Sequence, residues 1–377
     1  MRVSLLISDF SENCLGRVYI LAKMLGSRFE VEVIGPLFGE RVWPPCDTNE
    51  FTYKPVQCTP SLTHFVKSMK KMVNLISGDI IYASKLWFSS FGVGILTKLT
   101  GHRPLILDID DWELGWFLPY RFRKMASLSV KSILEVNGFL NTFCMEKVTF
   151  IADGITTASR FLQNRFGGEY VPHARDTELF DPSRYDGERI KRELGLKDEK
   201  IIMFLGSPKP HKGKEDLFAA TRSLKRKDVR LLIIGASDGY PSRSLLLDGV
   251  NHLPIVRGMV PFMRIPEYLA CSDLVVLPQN NVPSNHAQVP AKLFDAMAMA
   301  KPIVSTKISD MPEILKDCGF IVEADSPKDL VEKIDFILKN PNEAKKIGQK
   351  ARERCIEKYS LRVVGEKLNN YISECIK

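Results

Sequence analysis

Short unbroken apolar runs alternate along this chain with longer stretches in which apolar residues recur every three or four positions. In the first half, Val3–Ser8, Val31–Ile34, Asp79–Ala83, Leu105–Ile109 and Gly154–Thr157 read as buried strands. Helical periodicity fills the intervals around Arg17–Leu25, Leu62–Ile76, Phe91–Leu99 and Arg160–Phe166. Strands apolar on both faces, alternating with helices, predict an α/β fold: a parallel sheet with helices on each side. The pattern lapses near Asp176–Lys200 into DTELFDPSRYDGERIKRELGLKDEK, a charged, turn-rich stretch that predicts a domain junction. It then restarts. Ile201–Leu205, Val229–Ile234, Leu274–Leu277 and Ile303–Ser305 read as strands, Lys214–Leu224, Ile265–Cys271 and Lys292–Met299 as helices, and the tail from Pro327 as helical to the end. Two open α/β domains in tandem direct their strand carboxyl ends towards a shared cleft, where ligands of such sheets bind.

A length of 377 residues suits two domains of this kind, and 45% hydrophobic with 26% charged residues is globular composition. No apolar run has the length of a membrane span, and the first residues, MRVSLLISDF, lack the features of a signal peptide. The eight cysteines show no C-x-x-C spacing, which predicts free thiols in a reducing compartment and argues against a zinc site. A net charge of +8 is compatible with nucleic acid, an anionic membrane or phosphorylated ligands. No nucleic-acid-binding motif is present, so the last two remain.

Five segments are candidates for chemistry. In FLGSPKPHKGKEDL, Phe204–Leu217, a strand ends at Gly206 and a Pro-rich loop leads to Lys212-Gly213 at a helix start. Glycine lets backbone approach a phosphate, the helix N-terminus offers free N–H groups and the lysine adds charge, which suits a diphosphate; a solvated lysine on a turn is the plain alternative. In VPAKLFDAMAMAKPIVSTKISDMPEIL, Val289–Leu315, Asp295 lies in the first turns of a helix, where a carboxylate can accept ribose hydroxyls, and Lys292 shares its helical face. An ordinary Lys–Asp pair is the alternative. The loop Ser8–Arg17 offers Gly16 for backbone freedom and Arg17 for charge, or is simply a turn between strand and helix. In LDIDDWELGWF, Leu107–Phe117, Asp108, Asp110 and Asp111 crowd a strand end. Crowded carboxylates repel, which raises the pKa of one and suits it to act as a base or to bind sugar hydroxyls. The cluster is also compatible with Mg²⁺ or, more plainly, with helix capping.

The fifth candidate is membrane-facing. Thr59–Gly78 carries Lys67, Lys70 and Lys71 and no acid, with Phe65, Met69, Met72, Val73 and Ile76 at helical spacing. Leu114–Leu134 interleaves Trp116, Phe117, Tyr120 and Phe122 with Arg121, Arg123 and Lys124. Basic residues beside aromatics suit an anionic leaflet, and an amphipathic helix with a solvated basic face is the alternative.

At these residues the chain resembles the retaining glycosyltransferases of family four, the group 1 glycosyltransferases, over nearly its whole length and most strongly over Ile201–Leu315. The resemblance implies the GT-B architecture: two facing Rossmann-like domains, a deep interdomain cleft and a last helix, Leu361–Cys375, that crosses back to the N-domain. It places the acceptor domain at 1–180 together with 361–377, and the donor domain at 181–360. Gly206 and Lys212-Gly213 keep the family spacing for diphosphate binding, while Ser207 stands where arginine is usual and Lys209 is a substitute for it. LLIIGASDG, Leu231–Gly239, resembles the family's strand ending in a glycine turn, which brings in Gly235. In IVRGMVPFMRIPEYLACSDLVVLPQ the backbone around Met259 and Val260 is implied to touch the base, and Asp273 and Pro278 to be structural. Asp295 matches the second of two family acids, which binds ribose; the first is Ala287 here, as in a variant subgroup with a P-x-K-L-F-D form. Val289, Lys292 and Leu293 complete the implied donor site. Gly16 and Arg17 match an acceptor or phosphate loop. Asp110-Asp111 falls where His-Asp is usual, so Asp110 stands in for the acceptor-side histidine. Val171–Pro182 matches the strand before the interdomain linker, with His173-Ala174 for the usual Asn-Gly.

The expected activity is metal-independent, retaining transfer of a sugar from a nucleotide-diphosphate sugar to a glycan, a lipid-linked or a small-molecule acceptor. Lys212, Asp110 and Asp111 are the catalytic candidates, and no cofactor is expected beyond the donor. Positive charge and helix N–H groups aimed at the departing diphosphate stabilise the transition state more than the ground state. The expected setting is cytoplasmic, with an anionic membrane surface as partner at the inner face and no nucleic acid. The alternatives are a catalytically weak partner subunit, a sugar-nucleotide epimerase and a phosphate-binding regulatory module.

Overall fold

The computed structural model of the protein describes residues 1–117, 134–224, 226–236 and 254–376. The chain divides into two compact units. The first comprises Met1–His173, His286–Gln288 and Leu361–Lys377, and the second comprises Ala174–Asn285 and Val289–Ser360.

In the first unit, β1 (Arg2–Leu6) leads to α1 (Leu15–Leu25), β2 (Glu30–Leu37), β3 (Thr52–Gln57), α2 (Leu62–Leu75), β4 (Ile80–Ser84), α3 (Val93–Gly101) and β5 (Leu105–Ile109). Two shorter strands, β6 (Gly154–Thr157) and β7 (Glu169–Tyr170), follow. Among the described residues they form one parallel sheet in the order β3-β2-β1-β4-β5-β6-β7. The order reverses between β1 and β4, and in open sheets of this kind ligands bind at the carboxyl ends of the strands beside such a reversal. The last helix, Leu361–Cys375, belongs to this unit. Its Val364, Leu368 and Ile372 are buried, and Asn369 Nδ2 donates to the Met24 carbonyl (3.1 Å) at the end of α1 and to Ser27 Oγ (3.0 Å).

In the second unit, β8 (Lys200–Leu205), α4 (Lys214–Ser223), β9 (Val229–Ile234), β10 (Ile255–Arg257), α5 (Ile265–Cys271), β11 (Leu274–Leu277), α6 (Ala291–Ala298), β12 (Ile303–Thr306) and β13 (Phe320–Val322) repeat the plan. The described strands form a parallel sheet in the order β10-β9-β8-β11-β12-β13, which reverses between β8 and β11. The pleat explains the unbroken apolar runs. Ile201, Met203 and Leu205 of β8 pack into one core with Leu232, Ile234, Val275 and Leu277. Ile202 and Phe204 point the other way, against Leu231, Ile233, Leu274 and Val276. Each apolar side chain so buried contributes roughly 1.5–3 kcal/mol.

Candidate functional site

In the second unit the β8 end is built from backbone. Gly206 N donates to the Ile234 carbonyl (2.8 Å), so pairing with β9 persists to this glycine. Its φ of +126° is accessible to glycine and rarely to other residues. The chain then makes a short 3-10 turn, Pro210–Lys212, and enters α4 through Gly213, whose φ is +69°. A Cβ on Gly213 would collide with the carbonyl oxygen of Pro278, just past β11. The two loops of the switch point therefore touch, and only glycine fits between them. Asn280 N (3.1 Å) and Asn285 Nδ2 (2.6 Å) both donate to the His211 carbonyl and brace the turn from the other loop.

This turn folds Lys212 back over the strand end, with its Nζ 3.6 Å from where a Cβ of Gly206 would stand. Lys212 is half-buried, Ser207 half-buried and Lys209 exposed. Gly235 lies alongside, within 3.3 Å of the Gly206 backbone by the same Cβ measure, and donates to the Arg257 and Gly258 carbonyls (both 3.1 Å). Just beyond, Met259 is exposed and Val260 packs on the core. The first turn of α4 adds N–H groups without intrahelical partners, a favourable setting for an anion.

The structure corrects part of this reading on the α6 side. Val289 (2% exposed) and Leu293 (0%) are core residues, so only their backbone is available to a ligand. Asp295 is fully buried, and one carboxylate oxygen is bound by Arg175 Nε. Its Oδ2 accepts no hydrogen bond, and Lys292 Nζ stands 3.9 Å from it. The carboxylate is half-engaged: Arg175, stacked near Phe180 and Phe262, holds one oxygen and leaves one.

In the first unit, the sequence candidate Arg17 has a structural role. Arg17 is buried and clamps Asp108 through Nε (3.0 Å) and Nη2 (2.8 Å) while donating to the Val171 (2.8 Å) and Pro172 (3.1 Å) carbonyls. With its donors so committed, it ties α1 and β5 to the segment after β7 and is not presented to a phosphate. Gly16, in the first turn of α1, packs against the Trp43 ring at ordinary contact distance, 3.5 Å from its Cβ position.

Asp110 and Asp111, by contrast, are drawn into a cluster. Lys85, directly after β4, places its Nζ 2.9 Å from Asp110 Oδ1, 2.6 Å from Asp111 Oδ2 and 2.9 Å from Glu113 Oε1. Gln288 Nε2 donates to the other Asp111 oxygen (2.7 Å). Burial, reinforced by Asp111 and Asp108, pushes the Asp110 pKa up against the pull of Lys85. Burial likewise raises Glu113, to about 8, with Asp111 and Asp110 adding to it. Burial works against the Lys85 ammonium, but Asp110, Asp111 and Glu113 outweigh it, and its pKa is held well above the usual value. Helix capping does not account for the cluster, since the turn Glu113–Trp116 has no side-chain cap. Asp111 is the most open member, with a side chain 17% exposed against 9% for Asp110.

Lys85, Glu113 and Gln288 went unnoticed in the sequence, as did Arg175 and Asn285 in the second unit. The available signal was position: Lys85 immediately follows the strand beside β1, at the edge where ligands bind, and Glu113 lies three residues from Asp110. All eight cysteines carry free thiols. No helix among the described residues is long and apolar enough to cross a membrane. On α2, Lys67, Lys70 and Lys71 are exposed while Phe65, Met69 and Met72 are buried. Tyr120, Arg121, Phe122, Arg123 and Lys124 of the basic aromatic segment lie outside the described residues, as do Ser237, Asp238 and Gly239 of the glycine turn.

Two parallel sheets, one with a glycine-and-lysine strand end opening into a helix, make up the two Rossmann-like domains of the GT-B fold. Residues 186–354 match the family "Glycosyl transferases group 1". It is 22% identical over 309 residues, 76% of each chain, to the GDP-mannose-dependent alpha-(1-6)-phosphatidylinositol monomannoside mannosyltransferase of Mycolicibacterium smegmatis. The alpha-D-kanosaminyltransferase of Streptomyces kanamyceticus is 23% identical over 185 residues, 48% of this chain and about half (47%) of that one. Among solved structures, Anabaena HepE in complex with UDP and glucose superposes with a TM-score of 0.76 over 99% of each chain at 16% identity, a likeness of fold.

Proposed function

We propose that this glycosyltransferase moves a sugar from a nucleotide-diphosphate sugar to a glycan, lipid-linked or small-molecule hydroxyl, with retention of configuration and without a metal. The observation that carries the reading is Lys212, folded back over Gly206 at the β8 end with Gly213 opening α4. The solved neighbour was obtained with UDP and glucose, and the mycobacterial relative is GDP-mannose-dependent; both fit a diphosphate leaving group. In this mechanism the bond from the anomeric carbon to the diphosphate breaks as the acceptor oxygen bonds to that carbon, and the hydroxyl proton leaves on the diphosphate. Lys212, Lys209 and the amides of Ser207 and α4 meet the charge that grows on the departing oxygen, where fixed donors are worth most. The backbone at Met259–Val260 receives the base, and Asp295 Oδ2 accepts a ribose hydroxyl beside Lys292. Asp110 and Asp111 orient the acceptor hydroxyl.

The decisive experiment is Lys212→Ala, assayed for transfer and, by thermal shift, for UDP, GDP and nucleotide-sugar binding. Loss of transfer with weakened diphosphate binding is the expected result; wild-type kinetics would remove Lys212 from the mechanism. We also place the exposed lysines of α2 against an anionic leaflet on the cytoplasmic side. Salt-sensitive binding to phosphatidylglycerol vesicles that is lost in Lys67→Glu/Lys70→Glu/Lys71→Glu supports this, and salt-independent or absent binding rejects it.

A further inference from the structure

Lys85 has no place in the motifs that define the donor site, yet it is among the most constrained residues of the first unit. Its φ is +75°, a conformation costly for any residue with a side chain. Hydrogen bonds hold it there: Lys85 N donates to the Asp108 carbonyl (2.8 Å) and Ser90 Oγ donates to the Lys85 carbonyl (3.1 Å). The result is a side chain turned inward, 5% exposed, ending among carboxylates at 2.6–2.9 Å. Asp110, Asp111 and Glu113 each offer an oxygen within 4.8 Å of the others, a spacing that also suits a small divalent ion. An ammonium has three donors and one charge. The Gln288 amide, donating to Asp111, supplies a further partner from outside the cluster.

We propose that Lys85 is a positioning residue whose ammonium is the resident cation of this cluster, standing where a divalent ion would otherwise sit and fixing Asp110 and Asp111 towards the acceptor. Unlike an ion, it cannot dissociate, so the arrangement of the acids is set by the fold. The positioning role rests on the acceptor-side reading of Asp110 given above; the resident-cation role does not.

Mn²⁺ is the probe for the cation. Lys85→Ala is expected to gain a Mn²⁺ site, seen by electron paramagnetic resonance, that the wild type lacks and that Lys85→Ala/Asp111→Asn loses. Mn²⁺ also raises the melting temperature of Lys85→Ala by more than that of the wild type. Equal Mn²⁺ binding in wild type and Lys85→Ala overturns the assignment. Should Lys85→Ala fold poorly, Lys85→Ala/Glu113→Gln, with one buried charge fewer, melts higher than Lys85→Ala; an equal or lower melting temperature overturns it as well.

Positioning is read from kinetics. Lys85→Met lowers kcat by about tenfold or more while the donor KM stays within about twofold, and Lys85→Arg recovers part of kcat. An unchanged kcat, or a matching loss of donor affinity, rejects positioning while the Mn²⁺ result stands on its own. If Asp110→Asn transfers sugar at the wild-type rate while Lys212→Ala does not, the acceptor-side reading fails separately from the resident cation.

Discussion

The ends of β8 and β4 each border the point where strand order reverses in their sheets, β8 on the first-strand side and β4 on the other, and they are furnished in opposite ways. At β8 the second unit uses close-packed glycines, backbone amides and a half-buried lysine. At β4 and β5 the first unit uses buried ions: Lys85 among three carboxylates, and Arg17 on Asp108 with side chains 1% and 0% exposed. A backbone site admits a ligand of fixed shape and tolerates loss of a side chain. An ionic site is part of the packing, and removing one partner strands the other in a medium that solvates charge poorly. The first unit should therefore couple function to stability, and the second should separate them.

The largest effect that would break this contrast is at Arg17. Arg17→Met leaves Asp108 buried without its cation and is expected to cost about 3–5 kcal/mol in urea unfolding; a loss under about 1 kcal/mol would mean the ion pair carries little. Next comes Lys212→Ala, expected to reduce transfer by roughly 10²–10³-fold, the usual cost of removing a charge-stabilising donor. Its unfolding free energy should stay within about 0.5 kcal/mol of wild type, as for side chains outside the packing. A large loss of stability there would erase the difference between the two units. Asp110→Asn should lower turnover by about ten- to a hundredfold, the worth of one hydrogen bond to a charged group, with donor affinity little changed.

The smallest effect concerns the opposite end of the first sheet. Glu32 on β2 is buried, and burial would raise its pKa. Lys54 Nζ (2.6 Å), Ser4 Oγ (2.5 Å) and Ser77 N (2.8 Å) and Oγ (2.9 Å) reverse that and bring it to about 2. Its folded pKa lies below the unfolded value near 4.5, so its contribution is present above about 4.5 and fades as pH falls through 2. Glu32→Gln should lose roughly 1–3 kcal/mol at neutral pH and converge on the wild type near pH 2 in acid-unfolding titrations. A constant difference across that range would show that the charge is not what the site binds.

The sequence revealed the two units unevenly, and the reasons are physical. Strands buried on both faces announce themselves as apolar runs, which is why β1, β4, β5, β8, β9 and β11 were legible. β3 was not, because in TYKPVQ only Val56 is buried and Pro55 sits among the pairing residues of an edge strand. β10 and β13 are also edge strands, of three residues each, too short to show alternation. The motif at the β8 end was readable because glycine at fixed spacing beside lysine reports backbone geometry directly. The ionic cluster was half-readable. Three aspartates close together are visible, but a lysine is ordinarily solvated, and nothing in ASKLW says that Lys85 turns inward. Arg17 misled for the same reason: a charge in a loop after the first strand suggests a ligand, whereas its partners are Asp108 and two carbonyls supplied from distant parts of the chain.

The final helix has a bearing on the order in which the protein is made. α1 is covered by residues 361–375, and Ile155 N donates to the Tyr371 hydroxyl (3.0 Å), so the amino-terminal unit is unfinished until its last turn leaves the ribosome. The second unit needs nothing beyond Ser360 and is fully synthesised first. Emergence from the amino terminus normally lets the leading domain settle before the rest; here the segment that packs on α1 is made after the whole of the second unit.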